Sequence, residues 1–267
     1  MRRLIACISV IVATALVLNV EFALVRIHAV GPPTLGQQAD GTGVANVSTL
    51  NLASLTNGST IVVAAMTAND ADGAGSSFTA NDDDASTTYS NAVGPIESPG
   101  GSSFPDMICQ IAYAPNIAPS GGDLVVTMTN GAGGTVSFYA IAFELLGAKT
   151  SSPLTAVDQD NAETVVGLNH IGADSPGITT STDTFAVVLS TSSNATGTVT
   201  VNGSFTNNAV FADDSGIMQY YSNATALTNN TITWTTSSNR QTVSCAAAFE
   251  GIASTTTPKM SLLGVGP

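Results

Sequence analysis

After Pro32 and Pro33 the chain runs in short apolar or alternating segments, broken roughly every 8 to 15 residues by Gly, Asn, Asp, Ser and Pro. Strands are predicted at "NVSTLNL", "STIVVAAMTA", "TTYSNAV", "DMICQIAYA", "DLVVTMT" and "TVSFYAIAFEL". A second set follows at "LTAVDQ", "DTFAVVLSTS", "GSFTNNAVFA", "IMQYYSNA", "NTITWTTS" and "QTVSCAAAFEGI". Past the N-terminal segment no window sustains a 3.6-residue period with caps, so no helix is predicted there. Short strands punctuated by turn residues are the pattern of an antiparallel sandwich.

The two sets resemble each other. Ala142-Phe143-Glu144 returns as Ala248-Phe249-Glu250, about 106 residues later. Upstream, "IVVAAMTA" parallels "FAVVLSTS" and "CQIAYAPN" parallels "MQYYSNA". The predicted fold is therefore all-β: an antiparallel, jelly-roll-like β-sandwich over residues 34–252, made of half-repeats at about 34–147 and 148–252. One domain is preferred to two because the junction "GAKTSSPL" is short, whereas independent domains meet at longer linkers. Phe143 and Phe249 are expected to be buried on equivalent strands of one double-sheet core.

The order of a "VVAAM" strand, an "AYAPN…GGDLVVTMT" pair, the strand and turn "AFELLGAKTSSPLTA", a "TTSTDTFAVVL" strand and the closing "WTTSSNRQTVSCAAAFEGI" resembles a widespread group of bacterial and phage β-sandwich modules. The resemblance covers roughly residues 34 to 252. It implies a sandwich fold and an extracellular setting, and it carries no catalytic residues to transfer. The acid-rich stretch at 69–86 has no counterpart in it.

Ahead of the strands, Arg2 and Arg3 precede an apolar stretch from Leu4 to Val20, an N-terminal hydrophobic helix. Residues 1–29 read as a signal peptide cleaved after Ala29, with a retained membrane anchor as the alternative; either exports the body. The segment 253–267 reads as a C-terminal tail. Hydrophobic residues make up 43% of the chain and charged residues 9%, so solubility rests on hydroxyls and amides as much as on charge. The net charge of −13 excludes a nucleic-acid partner, which needs clustered Lys and Arg. Outside the first 30 residues only Lys149, Arg240 and Lys259 are basic.

Removing the leader leaves Cys109 and Cys245 in a compartment that tolerates disulfides. Alternation groups Cys109 with Met107, Ile111 and Tyr113, and Cys245 with Val243, Ala247 and Phe249, so both face the core. They form either a bridge or two buried thiols.

Little else suggests chemistry. His170, in "GLNHIGADSPG", is the one histidine beyond the leader, with Asp174 its nearest carboxylate; this is a poor basis for a nucleophile–base pair. No His/Cys spacing suits zinc. Sugar hydrolysis needs two carboxylates across a cleft, whereas here the acids gather in polar stretches. The densest is "NDADGAGSSFTANDDDAS" at 69–86. Calcium is one reading, with Asp70, Asp72, Asp82, Asp83 and Asp84 as ligands. An EF-hand loop would need an oxygen ligand where Ala74 stands and a Glu where Asn81 stands, so an exposed loop of solvated aspartates is preferred.

These observations lead to a non-catalytic, exported β-sandwich with an adhesive or structural role on a cell or virion surface. Its expected partners are other surface proteins, glycans or further copies of itself. The alternative is a carbohydrate-binding module, with or without calcium.

Overall fold

The computed structural model describes residues 31–252 apart from 44–45, 71–75, 83–86, 98–105, 119–121, 130–134, 136–137, 165–168, 173–177, 181–182, 193–196, 202–205, 211–215, 224–226, 229–231 and 237–239. The expected N-terminal helix and the C-terminal tail lie outside the described residues, which are all-β and antiparallel.

The first half holds β1 (Thr34–Gly43), β2 (Val47–Leu52), β3 (Thr60–Asp70), β4 (Ser77–Asp82), β5 (Ser90–Glu97), β6 (Asp106–Ala114), β7 (Gly122–Thr129) and β8 (Phe138–Leu146). The second holds β9 (Leu154–Thr164), β10 (Asn169–Gly172), β11 (Thr184–Ser192), β12 (Gly197–Val201), β13 (Thr206–Val210), β14 (Gly216–Asn223), β15 (Ile232–Thr236) and β16 (Arg240–Glu250). Each half folds into a five-stranded and a three-stranded sheet, in the orders β1-β8-β3-β6-β5 with β2-β7-β4, and β9-β16-β11-β14-β13 with β10-β15-β12. Adding eight to each strand number converts the first pair of orders into the second, so the sequence repeat is also a repeat of topology.

Register makes the correspondence residue-specific. Val62 pairs with Phe143 as Phe185 pairs with Phe249. On the other side, Met66 pairs with Cys109 as Leu189 pairs with Met218.

The two five-stranded sheets lie face to face, β5 against β9, β6 against β16 and β3 against β11. Between them is a core of Val62, Met66, Ile111, Phe143 and Leu145 from one half and Phe185, Val187, Leu189, Val243 and Phe249 from the other. Tyr113 meets Phe249 edge-on at 5.6 Å between ring centroids, and Phe143 tilts onto Phe185 at 6.4 Å; both pairs cross between the halves. Phe143 and Phe249 are both fully buried.

The expected single double-sheet core describes only this central pair of layers. Strands β3, β6 and β8 are apolar on their second face too, and Ile61, Val63, Ala112 and Ala142 pack there against Leu50, Leu52, Phe78 and Val126 of the three-stranded sheet. In the second half Ala186, Val188, Ala246 and Ala248 face away from the central core and meet Ile178 and Leu227, while β10 lies against β9 and β16.

The junction between the halves is stitched to the end of β16. Lys149 N–H donates to Glu250 C=O, Glu250 N–H to Pro153 C=O and Ile252 N–H to Gly147 C=O, while Ala148 and Gly251 form a β-bridge. Gly251 is required there, because a Cβ would sit 2.3 Å from the Gly31 carbonyl oxygen.

Cys109 on β6 and Cys245 on β16 form a disulfide between the two central sheets, with Cα atoms 6.2 Å apart and both residues fully buried. It closes a loop of 136 residues, and chain-entropy arguments give such a loop roughly 5 kcal/mol of stabilisation. Replacing both residues by alanine is therefore expected to lower unfolding free energy by several kcal/mol, read as a shift of the urea midpoint. Phe249→Ala with the bridge intact should cost about 3–5 kcal/mol through loss of burial and the cavity left behind.

Candidate functional site

The acid-rich stretch is not simply a loop. Asn69 and Asp70 end β3, and Ser77–Asp82 form β4, the edge of the first three-stranded sheet. Phe78 and Ala80 turn into the core while Thr79 and Asn81 are exposed. Two inward apolar residues suffice for an edge strand that buries one face.

The free side of β4 is braced by Gln110. On β6 this residue alternates with Cys109 and so points away from the disulfide, into the first half. It is 1% exposed, and an amide buried there without partners would cost about 1–3 kcal/mol. Its Oε1 accepts from Phe78 N–H at 2.9 Å, and its Nε2 donates to Phe78 C=O at 3.2 Å and to Asn91 Oδ1 at 2.7 Å. The side chain thus does for Phe78 what an adjacent strand would do, and ties β4 to β5.

A second brace spans the other end. The Tyr89 hydroxyl, just before β5, donates to Asp82 Oδ2 at 3.1 Å. Burial pushes the Tyr89 phenol far above its ordinary value, and the Asp82 charge and the hydrogen bond to it push the same way. Between the braces lies a hollow of about 360 Å³. Phe78, Ala80 and Ala112 line its inner side, and Thr79, Asn81, Thr87, Thr88 and Asn91 its rim.

Of the five aspartates named in the calcium reading, Asp82 is held by Tyr89. Asp70 is placed by its backbone, paired with Asp106 where β3 ends and β6 begins. Asp72, Asp83 and Asp84 lie outside the described residues. Among the described residues no group of three His, Cys, Asp or Glu side chains is placed to hold a metal. His170 lies on β10, opposite Trp234 of β15, rather than in a loop.

Sequence reasoning missed Gln110, Tyr89 and Asn91. The available signal was Gln110 itself, a lone amide in "MICQIAYA", a strand otherwise apolar enough to be buried on both faces.

No protein-family profile, curated protein or solved structure matches the chain.

The phenols set the response to alkali. With its pKa raised on folding, Tyr89 keeps its proton in the native state at a pH where the unfolded chain has released it. Its contribution is fully present below the ordinary value of 10.0 and is lost as pH rises through and beyond it. Tyr139 acts in the same sense, through burial first and then its hydrogen bond to Asp40. Urea midpoints are expected to stay level up to about pH 9 and fall above about pH 10. Tyr89→Phe should flatten part of that fall.

Proposed function

We propose that the chain is a non-catalytic, exported β-sandwich protein with two jelly-roll-like halves, serving as a structural or adhesive element on a cell or virion surface. The observation that carries this reading is the buried Cys109–Cys245 bridge between the halves. A bridge at that place suits a protein that matures in an oxidising compartment. It also fits a body that must keep two halves in fixed relation under load or dilution.

Other features support the reading. Eight strands wound into two sheets is the jelly-roll arrangement, and its repetition in the same strand order in the second half suits a rigid building block. The resemblance to bacterial and phage β-sandwich modules, which implies an extracellular setting, points the same way, as do the Arg2-Arg3 leader and the surplus of acidic over basic residues.

The test is to express the full chain with its own leader and fractionate the cells. Disulfide-bonded protein in the medium, or on the surface where added protease reaches it, is the expected result. Recovery in the cytoplasm with Cys109 and Cys245 both open to alkylation would overturn the proposal.

A further inference from the structure

We propose that the hollow between β4 and the start of β5 binds a neutral sugar residue of a glycan. This stands independently of the structural role.

Several features make it a site rather than a packing defect. Its walls are laced together at both ends, by Gln110 to Phe78 and Asn91 and by Tyr89 to Asp82. A hollow held in shape this way loses little conformational freedom when a ligand enters. Its depth comes from two small side chains, Ala80 and Ala112, which are 6% and 3% exposed. The fold does not require a small residue at the second of these. Ala112 pairs with Val63 as Tyr221 pairs with Ala186, so the second half carries a tyrosine at the register position of Ala112. A small residue at this position is thus a feature of the first half rather than of the repeated topology.

The lining chooses the ligand. A sugar ring has apolar C–H faces and a hydroxyl edge. Phe78, Ala80 and Ala112 close its inner side but are almost wholly buried, so the surface open to a ligand is mainly the rim of threonine hydroxyls and asparagine amides, groups that both donate and accept and so suit the hydroxyl edge of a sugar. At about 360 Å³ it falls in the range of small-molecule sites. Among the described residues no basic side chain lines it, and Asp82 stands at one end, so a uronic or sialic acid would meet like charge. The Tyr89 phenol stays protonated across physiological pH and adds no second negative charge.

An added peptide strand fits less well. Alternate residues of an edge strand direct their N–H and C=O outward, and on β4 the outward pair of Phe78 is already taken by Gln110. Strand addition needs a continuous run of such pairs.

The full exported chain should first be screened on an array of neutral and acidic glycans. The strongest neutral oligosaccharide is then titrated calorimetrically against wild type, Ala80→Leu and the surface variant Asn81→Ala/Thr88→Ala. Ala80→Leu adds bulk at the hollow's inner side without removing a polar partner; because Ala80 also packs in the core of the first half, its melting temperature is measured too, and the folded variant should bind at least tenfold more weakly. The double variant removes only rim groups, so it should fold as wild type, checked by its melting temperature, and bind several-fold more weakly. Absence of binding to every neutral glycan, a preference for acidic glycans, or unchanged affinity in the double variant would each overturn the proposal.

Discussion

The molecule is organised by one constraint: strands β3, β6, β8, β11 and β16 are apolar on both faces. A sheet built from such strands needs cover on each side, and an antiparallel sheet with one wet face would leave half of these side chains in water. Each half covers its outer face with a partner sheet or with apolar residues from its own loops. The inner faces have only each other. Val62, Phe143 and Leu145 are therefore buried by Phe185, Val187 and Phe249 of the other half. Either half alone would expose a continuous apolar sheet, which is why the halves are joined by a core rather than by a tether.

Polar groups fix the relative placement that apolar burial leaves open. The repeated glutamate illustrates this, for it does related work in different settings. Glu144, 2% exposed, accepts from Gln37 Nε2 at 2.9 Å and from Thr56 N–H, tying β8 to β1 and to the turn before β3. Glu250 pairs with Lys149 of the junction. With Lys149 well exposed, that ion pair adds little stability by itself, but it lies beside three backbone hydrogen bonds that hold the junction to β16. Nearby, the disulfide fixes β6 over β16. Its register counterparts in the repeat are Tyr139 and Met218, so the covalent link exists on one side of the central core only.

How far the fold could be read from sequence depended on where each strand sits. The internal strands announce themselves: "TIVVAAMTA", "FYAIAFELL" and "TFAVVLSTS" have long apolar runs because both faces are buried, and the recurring Ala-Phe-Glu triplet marks the two halves as related. The strands that escaped notice were β1, β4, β10 and β12, and each is a sheet edge. An edge strand needs one apolar face at most, and polar residues protect its open side from unwanted pairing. Hence "TLGQQADGTG" and "SFTAND" read as loop, the second hidden further by the aspartates around it. The inward direction of Cys109 and Cys245 followed from alternation, whereas their pairing needed the two sheets to be stacked with β6 over β16. The hollow was illegible for a related reason, since its walls come from an unrecognised edge strand and from side chains that meet only across the fold.

Gln110 belongs to the scaffold and also braces one end of the hollow through Phe78 and Asn91, and the repeat helps to separate the two roles. Gln110 pairs with Ala65 on β3, and Gln219 pairs with Val188 on β11, at the equivalent register. A glutamine thus stands at this position in both halves, on a strand next to the central one of its five-stranded sheet. A residue type repeated at matched positions belongs to the architecture, and bracing an open sheet edge with a side-chain amide, as Gln110 does for β4, is an architectural task. What differs is the residue two positions along, Ala112 in the first half and Tyr221 in the second. The repeated topology therefore accepts either a methyl group or a ring at that register, and the methyl group of the first half is what leaves room beside the braced edge.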